Sequence, residues 1–363
     1  MKNTFGNSVS LTLFGESHQE MIGCVLDGLA PGVPVREENV ARFLSRRRPS
    51  GAISTPRREQ DDFRIVSGVY QGRTTGAPLC ILIENTAQRS SDYENAPLRP
   101  GHADFTAQMK YHGFQDRAGG GHFSGRLTAP LVAAGAVLTD ILAAKGVFVF
   151  THIAEIAGEE DRAFQDLTED RKALENKSFP VLDDAAGERM REKILKAKEE
   201  GDSVGGVLET YVAGLPAGVG EPWFDSLEGL LSHALFSIPA VKGVEFGAGF
   251  AFARMRGSEG NDPFYLSGTG QILTKSNHNG GILGGISDGM PILFRTAVKP
   301  TPTISKEQET VDLATGKECR HAFRGRHDPC IAHRACVVQD SLTALVLCDA
   351  LALRYGTDFL GEK

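Results

Sequence analysis

The sequence predicts an α+β fold, a single large domain in which central helices pack between antiparallel β-sheets as a β-α-β sandwich. Strand-like and helix-like segments are mixed along the chain, without the regular alternation that builds a parallel sheet. Two helical segments, 126–145 and 340–355, are apolar on most of their faces, which is typical of helices buried inside a domain. A chain of 363 residues, 41% of them hydrophobic, is long enough to enclose two such helices.

Three further helices are predicted from the spacing of their apolar residues. The segment 36–47 begins with two glutamates, which suit the positive end of a helix dipole, and its apolar residues recur at helical spacing. The segment 222–237 is amphipathic, with Pro222 near its start and Pro239 just beyond its end. The segment 185–200 is rich in charged residues and predicts an exposed helix.

Strands are predicted where short runs of β-branched, aromatic and aliphatic residues lie between turn residues. They are 8–14, 21–29, 64–70, 79–84, 147–154, 206–213, 243–254 and 292–299. The stretch 155–202 holds fifteen acidic and nine basic side chains, so it carries −6 of the net charge of −7. We interpret this stretch as a charged surface excursion from one domain that spans 1–363.

Composition also limits the location and the partners of the chain. The first eighteen residues lack the basic and then apolar pattern of a signal peptide, and no uninterrupted apolar run reaches the roughly 18 residues of a membrane helix. None of the six cysteines forms a CxxC pair, which fits buried thiols in a reducing compartment. We therefore expect a cytoplasmic protein that has no metal site and no membrane partner.

A basic patch stands out on this acidic chain, because residues 39–58 contain six arginines and no acidic residue. Arginine presents a planar fork that pairs with phosphate and carboxylate groups. Successive helical positions point about 100° apart, so at most one or two of Arg46, Arg47 and Arg48 reach a common ligand. The patch is either a binding site for a small anion or a solvated basic corner.

The segment 99–130 concentrates arginine, histidine and aspartate around three consecutive glycines, Gly119–Gly121, and then enters the first apolar helix. A glycine-rich loop before a helix offers backbone N–H groups to an anion. The segment contains neither the GxxxxGK[ST] of a P-loop nor the GxGxxG of a dinucleotide-binding fold. It predicts a functional site for a multiply anionic small molecule.

Four further motifs place chemically active or small residues together. FGESH at 14–18 contains His18, and SNHNGGILGGISDGMP at 276–291 combines paired glycines with small polar residues. KPTPT at 299–303 is stiff and supplies one cation with two hydroxyl groups. GRHDPC at 325–330 sets Arg, His and Asp side by side, either as functional groups or as a structural ion pair.

Taken together, eight strings in one order between residues 14 and 330 resemble the chorismate synthase family. They are FGESH, RRRP, RPGHAD, the GGG loop with SGR, HALFSIPAVKGVEFG, SNHNGGILGGISDG, VKPTPT and GRHDPC. The resemblance covers essentially the whole chain. It implies an anti 1,4-elimination of phosphate from 5-enolpyruvylshikimate 3-phosphate to give chorismate, the last step of the shikimate pathway. It also implies reduced FMN as cofactor, without net redox change, and a homotetramer.

The resemblance implies roles for individual residues as well. His18 and His102 are similar to the family's catalytic histidines, and Asp328 to the aspartate that assists proton removal through the flavin. The substrate carries two carboxylates and a phosphate, and the residues implied to bind it are Arg47, Arg57, Arg99, Arg126 and Arg326. The residues implied to contact FMN are Arg47, His122, Phe123, Ser124, Pro239, Ala240, Gly284, Lys299, Pro300, Thr301, Pro302, Thr303 and Arg326.

The chain departs from the common family pattern in three places. Many members have Arg-Ser-Ser at His122, Phe123 and Ser124, Asn at Pro239, and at Ile53 an arginine that contacts a nicotinamide cofactor. Fungal bifunctional members also carry insertions for which a chain of 363 residues leaves no room. We therefore expect a monofunctional enzyme, for which NADPH matters only indirectly, through an external flavin reductase.

The residues alone leave two other functions open. One is a different flavin-dependent or phosphate-dependent lyase on the same scaffold, which would release no phosphate from this substrate. The other is a binding module in which the arginines and histidines hold RNA or a nucleotide, with a steep dependence of binding on salt. The acidic stretch 155–202 and the lack of aromatic residues among the arginines argue against nucleic acid.

Overall fold

The computed structural model describes residues 2–49, 51–55, 60–86, 97–175, 177–323 and 328–361. Its strands are β1 (Thr4–Phe5), β2 (Ser10–Gly15), β3 (Met21–Asp27), β4 (Phe63–Ser67), β5 (Val69–Tyr70), β6 (Arg73–Thr74), β7 (Leu79–Glu84), β8 (Phe148–Ile156), β9 (Glu159–Glu160), β10 (Gly206–Ala213), β11 (Val241–Phe246), β12 (Phe264–Leu266), β13 (Ile272–Thr274), β14 (Ile282–Leu283), β15 (Ile286–Ser287), β16 (Ile292–Val298), β17 (Gln308–Asp312) and β18 (Lys317–His321). Its α-helices are α1 (Glu37–Arg47), α2 (Asp104–Tyr111), α3 (Thr128–Ala144), α4 (Leu167–Leu174), α5 (Asp184–Glu199), α6 (Leu227–Leu235), α7 (Gly257–Gly260) and α8 (Ala332–Tyr355).

Two five-stranded sheets enclose a layer of helices. The first sheet has the strand order β1-β2-β3-β7-β4 and the second has the order β11-β16-β10-β8-β9, and the pairings in both are antiparallel. Helix α3 packs against β2, β3 and β7, whereas α8 packs against β8 and β10. The two helices also pack against each other, and α1 and α6 contact this pair. The predicted β-α-β sandwich is therefore confirmed.

The helices α3 and α8 approach closely where Gly135 faces Ser341. A Cβ atom built on Gly135 would collide with the side chain of Ser341, so any larger residue would push the helices apart. Most residues of both helices are buried, because each helix has a sheet on one side and the other helix nearby. The apolar patterns of 126–145 and 340–355 reflect this double coverage.

Helix α8 begins eight residues before the predicted start at 340. Its first turns contain His333 and Arg334, and their polarity hid the helical pattern. Both have partners inside the fold: the Nε2 atom of His333 lies 2.9 Å from Ser54 Oγ, and Arg334 pairs with Asp328. The buried Nδ1 atom of His333 has no hydrogen-bond partner among the described residues. Burial lowers the pKa of His333 to about 3, with a further contribution from the neighbouring cations, so this histidine is neutral.

Buried polar side chains of α8 hold the helix to both sheets. Gln339 accepts a hydrogen bond from Thr296 Oγ1 and donates one to Thr210 Oγ1, each over 2.6 Å, which ties α8 to two strands of the second sheet. Asp349 accepts hydrogen bonds from the backbone N–H groups of residues 7–9, over 2.7 to 3.0 Å. Buried polar groups need such partners, and these partners orient the helix between the sheets.

Further differences from the predictions occur at the strand 243–254 and at helices α2 and α5. The strand 243–254 stops at Phe246, because Gly247 adopts a positive φ of 53° and a Cβ there would collide with the carbonyl oxygen of His278. Helix α2 was not predicted, since Ala107 is its one buried residue and it lacks an apolar stripe. Helix α5 was predicted to be exposed, but one of its faces is buried; its buried residues are Ala186, Gly187, Met190, Ile194 and Ala197.

Within the described ranges, two helical segments are long and apolar enough to cross a membrane by length and composition alone, Gly125–Ala144 and Ala332–Tyr355. Their most apolar windows are 72% and 94% buried inside the molecule. The two sheets and the neighbouring helices provide this burial, as they do for the core helices of a globular domain. The apolar character of both segments is therefore explained by the core.

The cysteines are free thiols, and four of the six are buried: Cys24, Cys330, Cys336 and Cys348. Burial raises the pKa of Cys330 to about 12, because a thiolate is costly in an apolar environment. The prediction of buried thiols holds for these four, while Cys80 and Cys319 are partly exposed.

A buried ion network lies at the edge of the second sheet, where the stretch 155–202 begins. His152 on β8 donates from Nδ1 to Asp161 over 2.8 Å, and its Nε2 atom lies 3.3 Å from Glu209 on β10. Asp161 also accepts the backbone N–H groups of Leu182 and Asp183. Burial by itself lowers the pKa of His152, but the two carboxylates outweigh it and raise the pKa above its usual value. When it is protonated, His152 therefore links β8 and β10 to the segment that leads into α5.

We expect the stabilisation from His152 to disappear as the pH rises. A raised pKa in the folded state means that the contribution is complete below the unfolded-state pKa of about 6.5 and is lost as the pH rises through the folded-state pKa. The melting temperatures of the natural protein and of His152→Gln, compared from about pH 5.5 to about pH 9, should differ most at the low end. His233→Gln, at an exposed histidine, serves as the control. A difference that stays constant over this range would contradict the prediction.

Candidate active site

The triglycine loop approaches both histidines of the predicted catalytic pair. Gly119, Gly120 and Gly121 all have positive φ, at 60°, 86° and 52°, a conformation that glycine adopts without strain. A Cβ atom on Gly119 would collide with the ring of His18, and one on Gly120 would lie 3.5 Å from Nε2 of His102. Adjacent glycines of one loop therefore contact two imidazoles that are far apart in sequence.

The same loop is held by hydrogen bonds to the segment that carries His18. The backbone N–H of Ser17 donates to the carbonyl oxygen of Gly121 over 3.1 Å. The Nδ1–H group of His122 donates to the carbonyl oxygen of Gly15, at the end of β2, over 3.0 Å. Both bonds fix the loop relative to His18.

Asp61 is the shared partner of two arginines that the sequence assigned to substrate binding. Its side chain is fully buried; it pairs with Arg47 Nη2 at 2.8 Å and forms a short ion pair with Arg126 Nη1. Burial by itself raises the pKa of Asp61, but the guanidinium groups of Arg47 and Arg126 outweigh it and lower the pKa below its usual value. Asp61 is therefore ionised and fixes both guanidinium groups in one buried cluster.

Asn85 connects this cluster to the histidine loop. Its amide oxygen accepts from Arg126 Nε over 2.9 Å, and its amide nitrogen donates to the carbonyl oxygens of Glu16 and Gln19 over 3.0 and 2.8 Å. These two residues flank His18 in sequence. The side chain of Arg126 and the loop of His18 are thus positioned by one amide.

Asp328 lies at the other side of the arginine cluster, four residues before α8. It accepts the backbone N–H of Thr55 over 2.8 Å and the Nη1–H of Arg334 over 2.5 Å. Arg334 also donates from Nε to the carbonyl oxygen of Arg47 over 2.7 Å. The predicted catalytic aspartate is therefore joined through Arg334 to the end of α1.

Arg99, Asp104 and His102 form a compact group at the start of α2. The guanidinium of Arg99 donates two hydrogen bonds to Asp104, from Nε over 2.8 Å and from Nη2 over 2.7 Å. His102 Nδ1 lies 2.8 Å from Asp104 Oδ1. Burial by itself raises the pKa of Asp104, but Arg99 and His102 hold it far below its usual range. The carboxylate is ionised and orients both neighbours.

Part of the predicted flavin-binding segment contacts the turn that precedes His102. Lys299 Nζ donates to the carbonyl oxygen of Gly101 over 2.5 Å, and its backbone N–H donates to the carbonyl oxygen of Ala240 over 2.9 Å. A Cβ atom on Gly101 would lie 3.3 Å from Pro302. The chain that leaves β16 at residues 299–303, together with the segment around 240, therefore lies next to the turn that carries His102.

The other residues predicted to contact FMN range from buried to exposed. Phe123 is partly exposed and packs edge-on against Tyr111, and Ser124 Oγ accepts the backbone N–H of Arg126 over 3.3 Å. Thr303 is buried, and the carbonyl oxygen of Thr301 accepts from a serine hydroxyl. Pro239 is exposed, and Pro300 follows Lys299 in the same turn after β16.

Gly284 lies in a different part of the fold. It forms the tight turn between β14 and β15 with a φ of 61°, and its open side has no neighbour among the described residues within 4 Å of a Cβ atom. The next residue, Gly285, accepts the backbone N–H of Leu227 at the start of α6. The hydrogen bonds that connect the histidine and arginine groups do not extend to this turn within the described part of the chain.

Two predicted substrate-binding residues, Arg57 and Arg326, lie outside the described residues. For the others, the structure brings His18, His102, Asp328, Arg47, Arg99 and Arg126 into the connected groups described above. Their catalytic and binding roles stay predictions.

Sequence reasoning missed the partners that orient these side chains. Asp61, Asn85 and Arg334 received no role, and Asp104 was noted only as part of a polar segment. A charge balance would have drawn attention to Asp61 as one of three candidates, because the stretch with six arginines is followed by Glu59, Asp61 and Asp62. Nothing in the local spacing indicates Asn85 or Arg334, since both contact residues from distant segments.

Comparisons with known proteins identify the family to which this fold and sequence belong. The family model described as chorismate synthase matches residues 9–352. The chorismate synthase of Dehalococcoides mccartyi is 47% identical over 361 residues, 98% of each chain, and that of Methanosarcina mazei is 46% identical over 360 residues, 98% of this chain and 97% of the relative. A solved structure titled "Crystal Structure of Chorismate Synthase" superposes with a TM-score of 0.76 at 29% identity, covering 97% of this chain and 94% of the other.

We expect Asp61→Asn to destabilise the fold much more than Asp62→Asn. Removing one partner of a buried ion pair typically costs about 3–5 kcal/mol, and Asp61 neutralises two buried guanidinium groups. Asparagine also tolerates the positive φ of 51° at this position, so the change tests charge rather than backbone strain. The measurement is the urea midpoint of unfolding at equal protein concentration. Equal midpoints for the two variants, of which Asp62 is the exposed control, would contradict the assigned role of Asp61.

Proposed function

The chain belongs to the chorismate synthase family and is a lyase that forms chorismate in the shikimate pathway; we propose that the groups around the triglycine loop bind reduced FMN together with the substrate. The substrate, 5-enolpyruvylshikimate 3-phosphate, loses phosphate and a ring hydrogen in an anti 1,4-elimination. The observation that carries this proposal is the convergence of His18 and His102 on adjacent glycines of one loop. The arginine cluster lies beside that loop through Asn85.

The charges of the arginine cluster suit a ligand with two carboxylates and a phosphate. Arg47 and Arg126 share Asp61, so one carboxylate balances two guanidinium groups and the cluster stays cationic. We propose that Arg47, Arg99 and Arg126, together with Arg57 and Arg326, bind the anionic groups of the substrate. Guanidinium groups held in fixed positions stabilise charge on a departing phosphate without reorganisation in the transition state.

The two histidines provide the proton-transfer groups. We propose that one of His18 and His102 hydrogen-bonds to the departing phosphate, while the other supplies a proton beside the flavin ring. Histidine suits both tasks because its charge changes near neutral pH. Asp328, held by Thr55 and Arg334, is proposed to assist removal of the ring hydrogen.

The residues present fit FMN in shape and charge. The triglycine loop leaves space beside His18 that a residue larger than glycine would fill. Lys299 supplies a cation, and its backbone hydrogen bond to Ala240 places the two residues side by side. We propose that FMN contacts these segments, with Arg47, Arg326, residues 122–124, 239–240 and 299–303, and Gly284. When bound, reduced FMN lends electron density to the allylic phosphate ester and recovers it, so that no net oxidation occurs.

We further propose that the chain acts as a homotetramer in the cytoplasm. Large exposed aromatic side chains support an interface between subunits, since Trp223, Phe224 and Phe250 are 86%, 95% and 80% exposed. Free cysteines, four of them buried, support a reducing compartment. Neither nucleic acid nor a membrane is needed for this function.

The direct test measures phosphate release from 5-enolpyruvylshikimate 3-phosphate under anaerobic conditions with photoreduced FMN. We expect multiple turnovers for the natural protein and about 10²–10⁴-fold less for His102→Ala, because a positioned acid–base group contributes this factor. The melting temperature of the variant should stay near that of the natural protein. Absence of phosphate release from the natural protein would favour a different lyase on this scaffold.

We expect no sustained turnover when NADPH is the sole reductant. Where many relatives carry an arginine that contacts a nicotinamide cofactor, this chain has Ile53, whose side chain is 5% exposed and packs in the hydrophobic core. The measurement is anaerobic phosphate release with oxidised FMN and NADPH, with and without added flavin reductase. Turnover that continues without the reductase would refute the proposed monofunctional enzyme.

A further inference from the structure

Asp104 is in direct contact with His102, a proposed catalytic histidine. The function proposed above gives Asp104 no role of its own. Four donors surround its carboxylate: the backbone N–H, Nε and Nη2 of Arg99, and Nδ1 of His102, all within 3.0 Å. Asp104 is also the first residue of α2, where the helix dipole favours a negative charge.

We propose that Asp104 is a positioning residue that keeps the proton of neutral His102 on Nδ1 and turns Nε2 toward the triglycine loop. The proposal rests on the proposed function, because it takes His102 as the group that exchanges a proton with the bound ligands. Asp104 itself would touch neither substrate nor flavin; it would act through the imidazole.

The tautomer follows from the chemistry of the carboxylate. Arg99 and His102 hold the pKa of Asp104 far below its usual range against the opposing effect of burial, so the carboxylate has no proton to donate. An ionised carboxylate only accepts hydrogen bonds, so Nδ1 of His102 must be the donor across the 2.8 Å contact. In the neutral ring, Nε2 then carries the lone pair.

The glycines determine what Nε2 faces. A Cβ atom on Gly120 would lie 3.5 Å from both Nε2 and Cε1 of His102, so this edge of the ring points at the loop. The preceding glycine, Gly119, contacts the ring of His18. Nε2 of His102, the ring nitrogen that does not bind Asp104, therefore faces the same loop as the ring of His18.

Arg99 completes the arrangement by fixing the carboxylate itself. Its two side-chain hydrogen bonds run to both oxygens of Asp104, a fork that permits one orientation of the carboxylate plane. Rotation of Asp104 would break these bonds together with the one to His102. Arg99 thus contributes to the orientation of His102, in addition to any contact it makes with substrate.

The first test determines the tautomer without measuring activity. The natural protein is labelled with ¹⁵N at histidine, and the signal of His102 is identified by its loss in His102→Ala. Spectra of the neutral ring should show the proton on Nδ1 and an unprotonated Nε2. A proton on Nε2 would overturn the proposal, whether or not any variant folds.

The second test replaces Asp104 with asparagine. The amide oxygen can still accept from Arg99, but the amide nitrogen then donates to His102 Nδ1, so the proton should move to Nε2. We expect kcat to fall at least about 10- to 100-fold, the effect typical of losing the acceptor that orients a metal-ligating histidine, with KM changed less than about threefold. Asp104→Glu, which keeps the carboxylate, should restore the Nδ1 proton and part of kcat.

A double-mutant cycle separates positioning from a general structural effect. If Asp104 acts through the imidazole, Asp104→Asn should change the residual kcat of His102→Ala by less than about twofold. An equal loss in both backgrounds would overturn the proposal. Asp184→Asn is the matched control, because Asp184 is likewise the first residue of a helix but is exposed and lies on α5; its kcat should equal that of the natural protein.

The two proposals fail in different ways. If the natural protein releases no phosphate, the proposed function is wrong, while the ¹⁵N spectra still decide the tautomer of His102. If the natural protein is active and Asp104→Asn keeps both its kcat and the Nδ1 proton, the function stands and the role of Asp104 is wrong.

Discussion

The packing of α3 against α8 between two sheets is the constraint on which the site depends. Gly135 allows the helices to approach at Ser341, and the two sheets leave little freedom in how the pair can lie. The chain enters α3 directly from the triglycine loop and Arg126, and it enters α8 directly from Asp328. A core that fixes both helices therefore also fixes the loops that carry the proposed catalytic groups, and helix N-termini suit anionic ligands.

A cationic site needs acidic residues to orient it, and three aspartates provide this orientation. Asp61 pairs with Arg47 and Arg126, Asp104 with Arg99, and Asp328 with Arg334. Each carboxylate lowers the cost of burying a guanidinium group and fixes the direction in which it points. In the proposed function, groups held in this way before the ligand binds would lose little entropy on binding and would stabilise the charge that develops as phosphate leaves.

Helices with a continuous apolar pattern were predicted correctly from the sequence, whereas polar helical turns were missed. The apolar helices were recognised because burial on all sides leaves a continuous pattern, and α3 differs from its prediction by one or two residues at each end. The start of α8 was missed because His333 and Arg334 are polar residues that find partners only in the folded protein. Helix α2 was missed because it lies on the surface without an apolar stripe, although its first residue, Asp104, contacts His102.

The sequence by itself determined the α+β class, the buried helices and, through eight ordered strings, the family and its reaction. It also identified the residue types, because phosphate and carboxylate groups require arginine, and proton transfer near neutral pH favours histidine. Only the tertiary structure decided which side chains act together. Arg126 meets Asp61 from 65 positions away, and Arg334 meets Arg47 from 287 positions away. Such contacts arise from the packing of sheets and helices, and local spacing along the chain carries no information about them.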